Sequence, residues 1–391
     1  MSFWFERLIE YYDERIFDGS YELKFKDFFF KVLSGSAQGI LIGVLPSAVM
    51  KYILKMFGTA QWALDLSAIL TLFSSFIPLL IGLAIAMQFR MKALDAGVMA
   101  IAVGASAGSV KWAMAPAGFV NPVTGVKLTA PANVYIAAGA GDVINAIIVA
   151  AVAVLVIWLV SKYLKGFGAV AIILSPIVIG GGVALFGKAI APYVAYITTW
   201  VGDAVRLATD LQPLPMSIAI AMAFSFIIIT PISTVGIALA IALSGLGAGA
   251  AGAGVVATTV ILLINSWKVN KKGTTVAIFL GAMKGMMPAI FKKPIMILSF
   301  LVAAAISAIP VAIFNVQGTP TSAGFGWIGM VSPIQSMIAD GAERDIVTHT
   351  IGAFPALLTW LIVPAIAGFV VDMLFTKVFK LYTPADFEQD M

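Results

Sequence analysis

The chain has 391 residues, 61% of them hydrophobic and only 11% charged, with a mean hydropathy of +1.03; this composition excludes a soluble globular domain and indicates a polytopic membrane protein. The net charge of +5 does not indicate nucleic acid, because the basic residues fall in short clusters between apolar segments, as the positive-inside rule expects. Zero cysteines and one histidine exclude disulfides, thiolate nucleophiles and multi-histidine metal cages, and no cofactor is expected.

Residues Met1–Lys31 carry acids and aromatics without an apolar core ahead of a cleavage site, so they do not read as a signal peptide. Phe3, Trp4, Phe5, Leu8, Ile9, Tyr12 and Ile16 recur at helical spacing, which predicts an amphipathic helix on the membrane surface. Ten apolar segments follow, at 32–54, 62–89, 93–113, 133–161, 167–187, 188–206, 214–244, 247–267, 293–315 and 346–377. They divide into a first transmembrane half, 32–187, and a second, 188–378, with a cytoplasmic tail at 379–391. The expected class is all-α, with about ten transmembrane helices. With both termini cytoplasmic, Arg90/Lys92, Lys162/Lys165, Lys268/Lys271/Lys272 and Lys377/Lys380 lie on the cytoplasmic side, as expected of a bacterial inner-membrane protein, with Lys51/Lys55 and Lys111/Lys127 as exceptions.

Ala113–Ala132, Gly273–Lys292 and Gly318–Glu343 are too polar or too rich in glycine and proline for simple spans and too apolar for simple loops. Re-entrant hairpins are one reading, since irregular backbone at membrane depth must be buried in protein or line a wet cavity; surface loops are the other. Phe73-Ser74, Gly82-Leu-Ala-Ile-Ala, Gly97-Val-Met-Ala and Trp112 are echoed by Phe224-Ser225, Gly236-Ile-Ala-Leu-Ala, Gly254-Val-Val-Ala and Trp267. An offset of about five helices makes this a possible inverted repeat; chance similarity among small apolar residues is the competing reading.

Helix-breaking tripeptides stand at Ser175-Pro176-Ile177, Thr230-Pro231-Ile232 and Ser332-Pro333-Ile334. Each proline removes a donor and frees a carbonyl that a hydroxyl, water or ligand can satisfy. The glycine-rich run Gly245–Gly254 predicts close helix packing and is no phosphate loop.

Polar residues within apolar segments are costly and so mark cavities. Those singled out for solute binding are Asp142, Asn145, Thr230, Ser233, Asn265, Lys284, Gln335 and His349. Asp345 and His349, at i,i+4, can meet on one helical turn and are the candidate coupling pair, with an interfacial ion pair or helix cap the equal alternative. Trp112, Trp267 and Trp327 are candidate stacking surfaces or interfacial anchors. No catalytic group or metal site is expected.

Four stretches together, Gly104-Ala-Ser-Ala-Gly-Ser-Val, Gly139-Ala-Gly-Asp-Val-Ile-Asn-Ala, Thr230-Pro-Ile-Ser-Thr-Val-Gly-Ile-Ala and Gly318-Thr-Pro-Thr-Ser-Ala-Gly-Phe-Gly, resemble the pfoR-type branch of the membrane-embedded IIC components of the sugar phosphotransferase system. The resemblance covers about 32–378. It implies a homodimeric permease-like domain that binds a carbohydrate and hands it to a cytoplasmic IIB partner carrying the phosphoryl group; members of the branch have also been labelled regulators of toxin production. One departure is clear. The sugar-contacting Gly-Ile-Thr-Glu-Pro loop of better-known IIC proteins is absent, and Gly318–Pro333, similar in character, has no carboxylate. The expected function is binding and translocation of a small polar solute, a sugar first. The alternatives are an ion-coupled secondary transporter and a non-transporting membrane sensor.

Overall fold

A computed structural model describes residues 21, 23–163, 170–230, 232–339 and 343–388. The surface helix expected over Met1–Lys31 therefore falls, up to Ser20, outside the described residues, as does Pro231.

Among the described residues the chain is all-α but for one β-ribbon. The helices in order are α1 (Phe25–Lys55), α2 (Gln61–Ser75), α3 (Ile77–Gln88), α4 (Ala93–Ser106), α5 (Val143–Tyr163), α6 (Gly182–Leu211), α7 (Pro213–Ile228), α8 (Thr234–Ala240), α9 (Gly245–Val269), α10 (Lys272–Phe279), α11 (Met287–Lys292), α12 (Met296–Ile313), α13 (Val331–Met337) and α14 (Val363–Met373). Single turns and π-helical stretches lead into α6 and flank α14. Six helices among the described residues are long and apolar enough to cross a bilayer, or seven if α2 and α3 form one broken span.

That count differs from ten for physical reasons. The segments expected at 167–187 and 188–206 form one continuous helical run from Ile172 to Leu211. Pro176 does not end it: the helix relaxes into a π-helical stretch at Ser175–Gly181, which absorbs the missing donor. The segments expected at 93–113 and 214–244 shorten to α4 and α7, because Gly108 takes a positive φ of 75° and the chain breaks after Ile228.

Ala113–Ala132 is not a re-entrant hairpin. β1 (Val110–Ala115) pairs antiparallel with β2 (Ala132–Ala137), setting Val110 against Ala137 and Ala115 against Ala132. Asn121 Oδ1 accepts from the Val123 and Thr124 N–H groups and turns the tip. An open two-stranded ribbon has unpaired edges that hydrocarbon cannot satisfy, which favours the surface-loop reading of this stretch. Trp112 faces Tyr135 across it, with Lys188 Nζ 4.3 Å from the Trp112 ring.

The chain forms two compact units. The first holds the residues up to Gly39 together with Ser75–Pro192. Its core is built where Ile77, Ile81 and Ile85 of α3 meet Met99 and Val103 of α4, all fully buried. On α5 the buried set Ala146, Val149, Ala150, Ala153, Val154 and Ile157 keeps the spacing of one helical face.

The second unit holds Ile40–Ser74 and everything from Tyr193 onward. In it α9 packs among α7, α12 and α14 and is buried on nearly every side, from Gly247 through Leu262. The glycine-rich run permits this. A Cβ on Gly249 would lie 1.9 Å from the Val316 carbonyl oxygen, and one on Gly254 would lie 2.0 Å from that of Ala221. The close packing expected of this run is thus present.

Candidate functional site

The second unit contains two stretches of irregular backbone, and they meet. The first surrounds α8, a helix of only seven residues with a break at each end. At its N-terminal break the Thr230 hydroxyl donates to the Ile227 carbonyl at 2.7 Å and accepts from the Ile232 N–H at 3.2 Å. Ser233 Oγ caps α8 by accepting from the Gly236 N–H at 3.0 Å. The Ile232 carbonyl, left without a helical donor, accepts from Lys284 Nζ at 2.6 Å. The carbonyl four residues before Pro231, that of Ile227, is the one a proline leaves without its donor, and the adjacent Thr230 hydroxyl bonds it; Lys284 serves a second carbonyl of the same break. Thr230, Ser233 and Lys284 are therefore brought together.

The second stretch runs from Phe314 to Trp327. Its turns are buried, with Val316, Ala323 and Phe325 fully enclosed, so its backbone groups need partners inside the protein. Ser322 Oγ accepts from the Thr319 N–H at 2.9 Å, and Ser332 Oγ donates to the Ser322 carbonyl at 2.7 Å while accepting from the Gly326 N–H at 2.9 Å. Gln317 Oε1 accepts from the Thr348 N–H at 2.9 Å, the Thr348 hydroxyl at 3.2 Å and the His349 N–H at 3.3 Å. Trp327 Nε1 donates to the Trp360 carbonyl at 2.7 Å.

Two links join the stretches. Thr234 Oγ1 of α8 donates to the Gly324 carbonyl at 2.9 Å. At the other end of α8, Gly245 and Gly318 exchange backbone bonds of 2.9 and 3.0 Å, an isolated antiparallel bridge. Beside that bridge opens a cavity of about 700 Å³. Thr199, Asp203, Arg206 and Asp210 of α6 line it, with Ser244 from the α8–α9 break and Asn315, Gln317, Asp345 and Thr348 from the later segments. Arg206 Nη2 lies 3.4 Å from Asp203 Oδ1. Hydroxyls, amides, carboxylates and a guanidinium around one cavity offer both donors and acceptors, the chemistry that replaces water around a polyhydroxy solute.

Of the sequence-predicted residues, Asp345 lines the cavity and the His349 backbone sits beside it on Gln317. The two are not on one helical turn. Residues 347–352 lack helical structure, the Ile351 N–H donating instead to the Ser336 carbonyl at 3.0 Å, and among the described residues Asp345 and His349 form no ion pair. Gln335 Nε2 donates to the Ile338 carbonyl at 3.3 Å and to Glu343 Oε2 at 3.1 Å.

The others are placed elsewhere. In the first unit half-buried Asp142 accepts the Asn145 N–H at 2.9 Å at the start of α5. Asn145, fully buried, donates through Nδ2 to the Ser106 and Gly187 carbonyls at 3.2 and 3.3 Å. Asn265 donates to Asp372 Oδ1 at 2.6 Å, which also accepts from the Tyr382 hydroxyl at 3.0 Å; Lys268 Nζ stands 3.5 Å from Asp372 Oδ2. Asp372 escaped the sequence reading although an acid inside the last apolar segment was a visible signal. Asp203, Arg206 and Asp210 escaped because they read as the polar end of an amphipathic helix.

These features define a polytopic membrane protein with a polar cavity at paired chain breaks, the class of a solute carrier. The sequence model of one protein family, described as Phosphotransferase system, EIIC, matches residues 30–389, and the chain belongs to that family. It is thus a membrane component of a phosphotransferase sugar-transport system, a class that in general takes a sugar substrate and a cytoplasmic IIB partner. No curated protein and no solved structure matches the chain.

Proposed function

We propose that the chain binds a sugar in the 700 Å³ cavity beside the Gly245–Gly318 bridge and carries it across the bacterial inner membrane for phosphorylation by a IIB protein. The observation that carries this reading is the junction itself: the cavity's polar lining converges beside the point where two broken segments meet in an isolated two-bond backbone bridge. Such a junction can open at low cost. The working unit is a homodimer with cytoplasmic termini, in keeping with the lysine clusters of the sequence.

Asn315 supplies the test. Its φ of 49° suits glycine as well as asparagine, so Asn315→Gly removes an amide from the cavity and leaves the backbone unstrained. Sugar binding to the purified protein, followed by calorimetry across a panel of hexoses, disaccharides and polyols, should weaken about tenfold or more in this variant, as expected for a lost hydrogen bond to a buried ligand. Undiminished binding would remove the cavity from the proposal. Uptake into vesicles driven by an ion gradient without any phosphotransferase proteins would instead favour an ion-coupled carrier, and binding without flux a sensor.

A further inference from the structure

The hairpin between α9 and α10 carries a second site, and we infer that it holds an anionic phospholipid of the surrounding bilayer. An open groove of about 490 Å³ runs along it, walled by Leu263, Ile264, Val276 and Phe279 and ending at Trp267 and Lys268. Its walls are almost wholly apolar, with Val276 52% and Phe279 40% exposed. In a chain embedded in lipid, such a groove accepts an acyl chain.

The mouth of the groove selects the headgroup. Lys268, Lys271 and Lys272 fall within five residues of one another, and no acidic residue occurs between Asp210 and Asp340. Lys268 contacts Asp372 only at 3.5 Å and has a half-exposed side chain, so its ammonium has further N–H donors to turn toward a phosphate. Trp267, 66% exposed at the same level, is the amphipathic ring that settles at headgroup depth. Lysines beside an anionic surface are each worth roughly a fivefold gain in affinity. A zwitterionic lipid gains little of this.

The site is preformed. The Ser266 and Thr275 hydroxyls pair at 2.9 Å and pin α10 to α9, while Asn270 Nδ2 donates to Ser266 Oγ at 3.1 Å and to the Phe387 carbonyl at 2.9 Å. These bonds hold the hairpin without help from a ligand.

The test uses the full-length protein in detergent, with phosphatidylglycerol and phosphatidylcholine of identical acyl chains added in turn and retained lipid counted by native mass spectrometry. The wild type should keep one phosphatidylglycerol per chain in preference to phosphatidylcholine. Lys271→Gln with Lys272→Gln should lower that preference about tenfold or more, and inorganic phosphate alone should not compete. Val276→Trp, which fills the groove, should reduce retention of both lipids. Equal retention of the two lipids by the wild type, or an unchanged preference in the double variant, would overturn the inference; so would a Val276→Trp protein that loses its dimer and keeps its lipid, which would assign the groove to a second copy of the chain.

Discussion

Lys284 donates its ammonium to the main-chain carbonyl of Ile232 at 2.6 Å, so a lysine 52 residues downstream completes the hydrogen bonding of a broken helix. Thr230 and Ser233 satisfy the flanking groups of the same break, while Lys284 reaches the Ile232 carbonyl from another part of the chain. Lys284→Met should therefore leave a half-buried acceptor without its cation, at a cost of about 1–3 kcal/mol. The melting temperature should fall and vesicle uptake with it, by tenfold or more. A variant that melts and transports like the wild type would show the contact to be incidental.

The Gly249–Val316 contact is equally specific. A Cβ on Gly249 would lie 1.9 Å from a backbone oxygen, and the clash cannot be relieved by turning a side chain. Gly249→Ala should cost about 3 kcal/mol or more, at the severe end of overpacking, and displace the segment that carries Gln317. Gly273 is the control. A Cβ there meets nothing within 4 Å, so Gly273→Ala should leave stability unchanged or raise it by up to about 1 kcal/mol through helix propensity. Melting curves of the two proteins, measured side by side, decide the point.

These contacts show how much was legible in the chain beforehand. The membrane class followed from uninterrupted apolar length, and the packing of the Gly245–Gly254 run from its lack of side-chain bulk. The α8 break was visible in Thr230-Pro231-Ile232, because a proline must free a carbonyl. The β-ribbon was not. Its Val-Lys-Trp-Ala-Met-Ala strand carries one polar residue and is exposed on both faces as far as Met114, so no period of two marks it. Nor was the cavity, which lies beside a bridge joining Gly245 to Gly318 across 73 residues and whose α6 wall carries Asp203, Arg206 and Asp210 as ordinary helix polar residues. Local pattern reveals breaks; it does not reveal which breaks meet.

Asn145 separates the two kinds of reading. Read from the sequence as a solute ligand, it predicts that Asn145→Leu abolishes sugar binding while the fold survives. The geometry gives a different expectation. Its Nδ2 bridges the Ser106 and Gly187 carbonyls in a fully buried position, and leucine would remove both of these buried bonds at about 1–3 kcal/mol. The melting temperature should drop by several degrees, and binding by the protein that remains folded should match the wild type. Lost binding with an unchanged melt would return Asn145 to the solute site.

The tail after the last span supplies a pH dependence. Tyr382 and Phe387 are fully buried there, and Asp386 holds the turn between them, accepting from Lys293 Nζ at 2.8 Å, the Thr383 N–H at 2.6 Å and the Thr383 hydroxyl at 3.0 Å. Partial burial alone would raise the Asp386 pKa, but the Lys293 ammonium and the two Thr383 donors outweigh it and hold the carboxyl below its usual value. A depressed carboxylate stabilises the docked tail fully above its unfolded pKa, near 3.9, and loses that contribution as pH falls through the lower folded value. The tail should stay docked from pH 7 to about 4 and loosen only in stronger acid. The chain has no cysteine, so a spin label on Glu388→Cys reports this cleanly: its spectrum should sharpen below pH 4 in the otherwise native protein. In Asp386→Asn the label should already be mobile at pH 7 and show no such acid step. An acid transition of equal size in both proteins would assign the tail's docking to its buried aromatics alone.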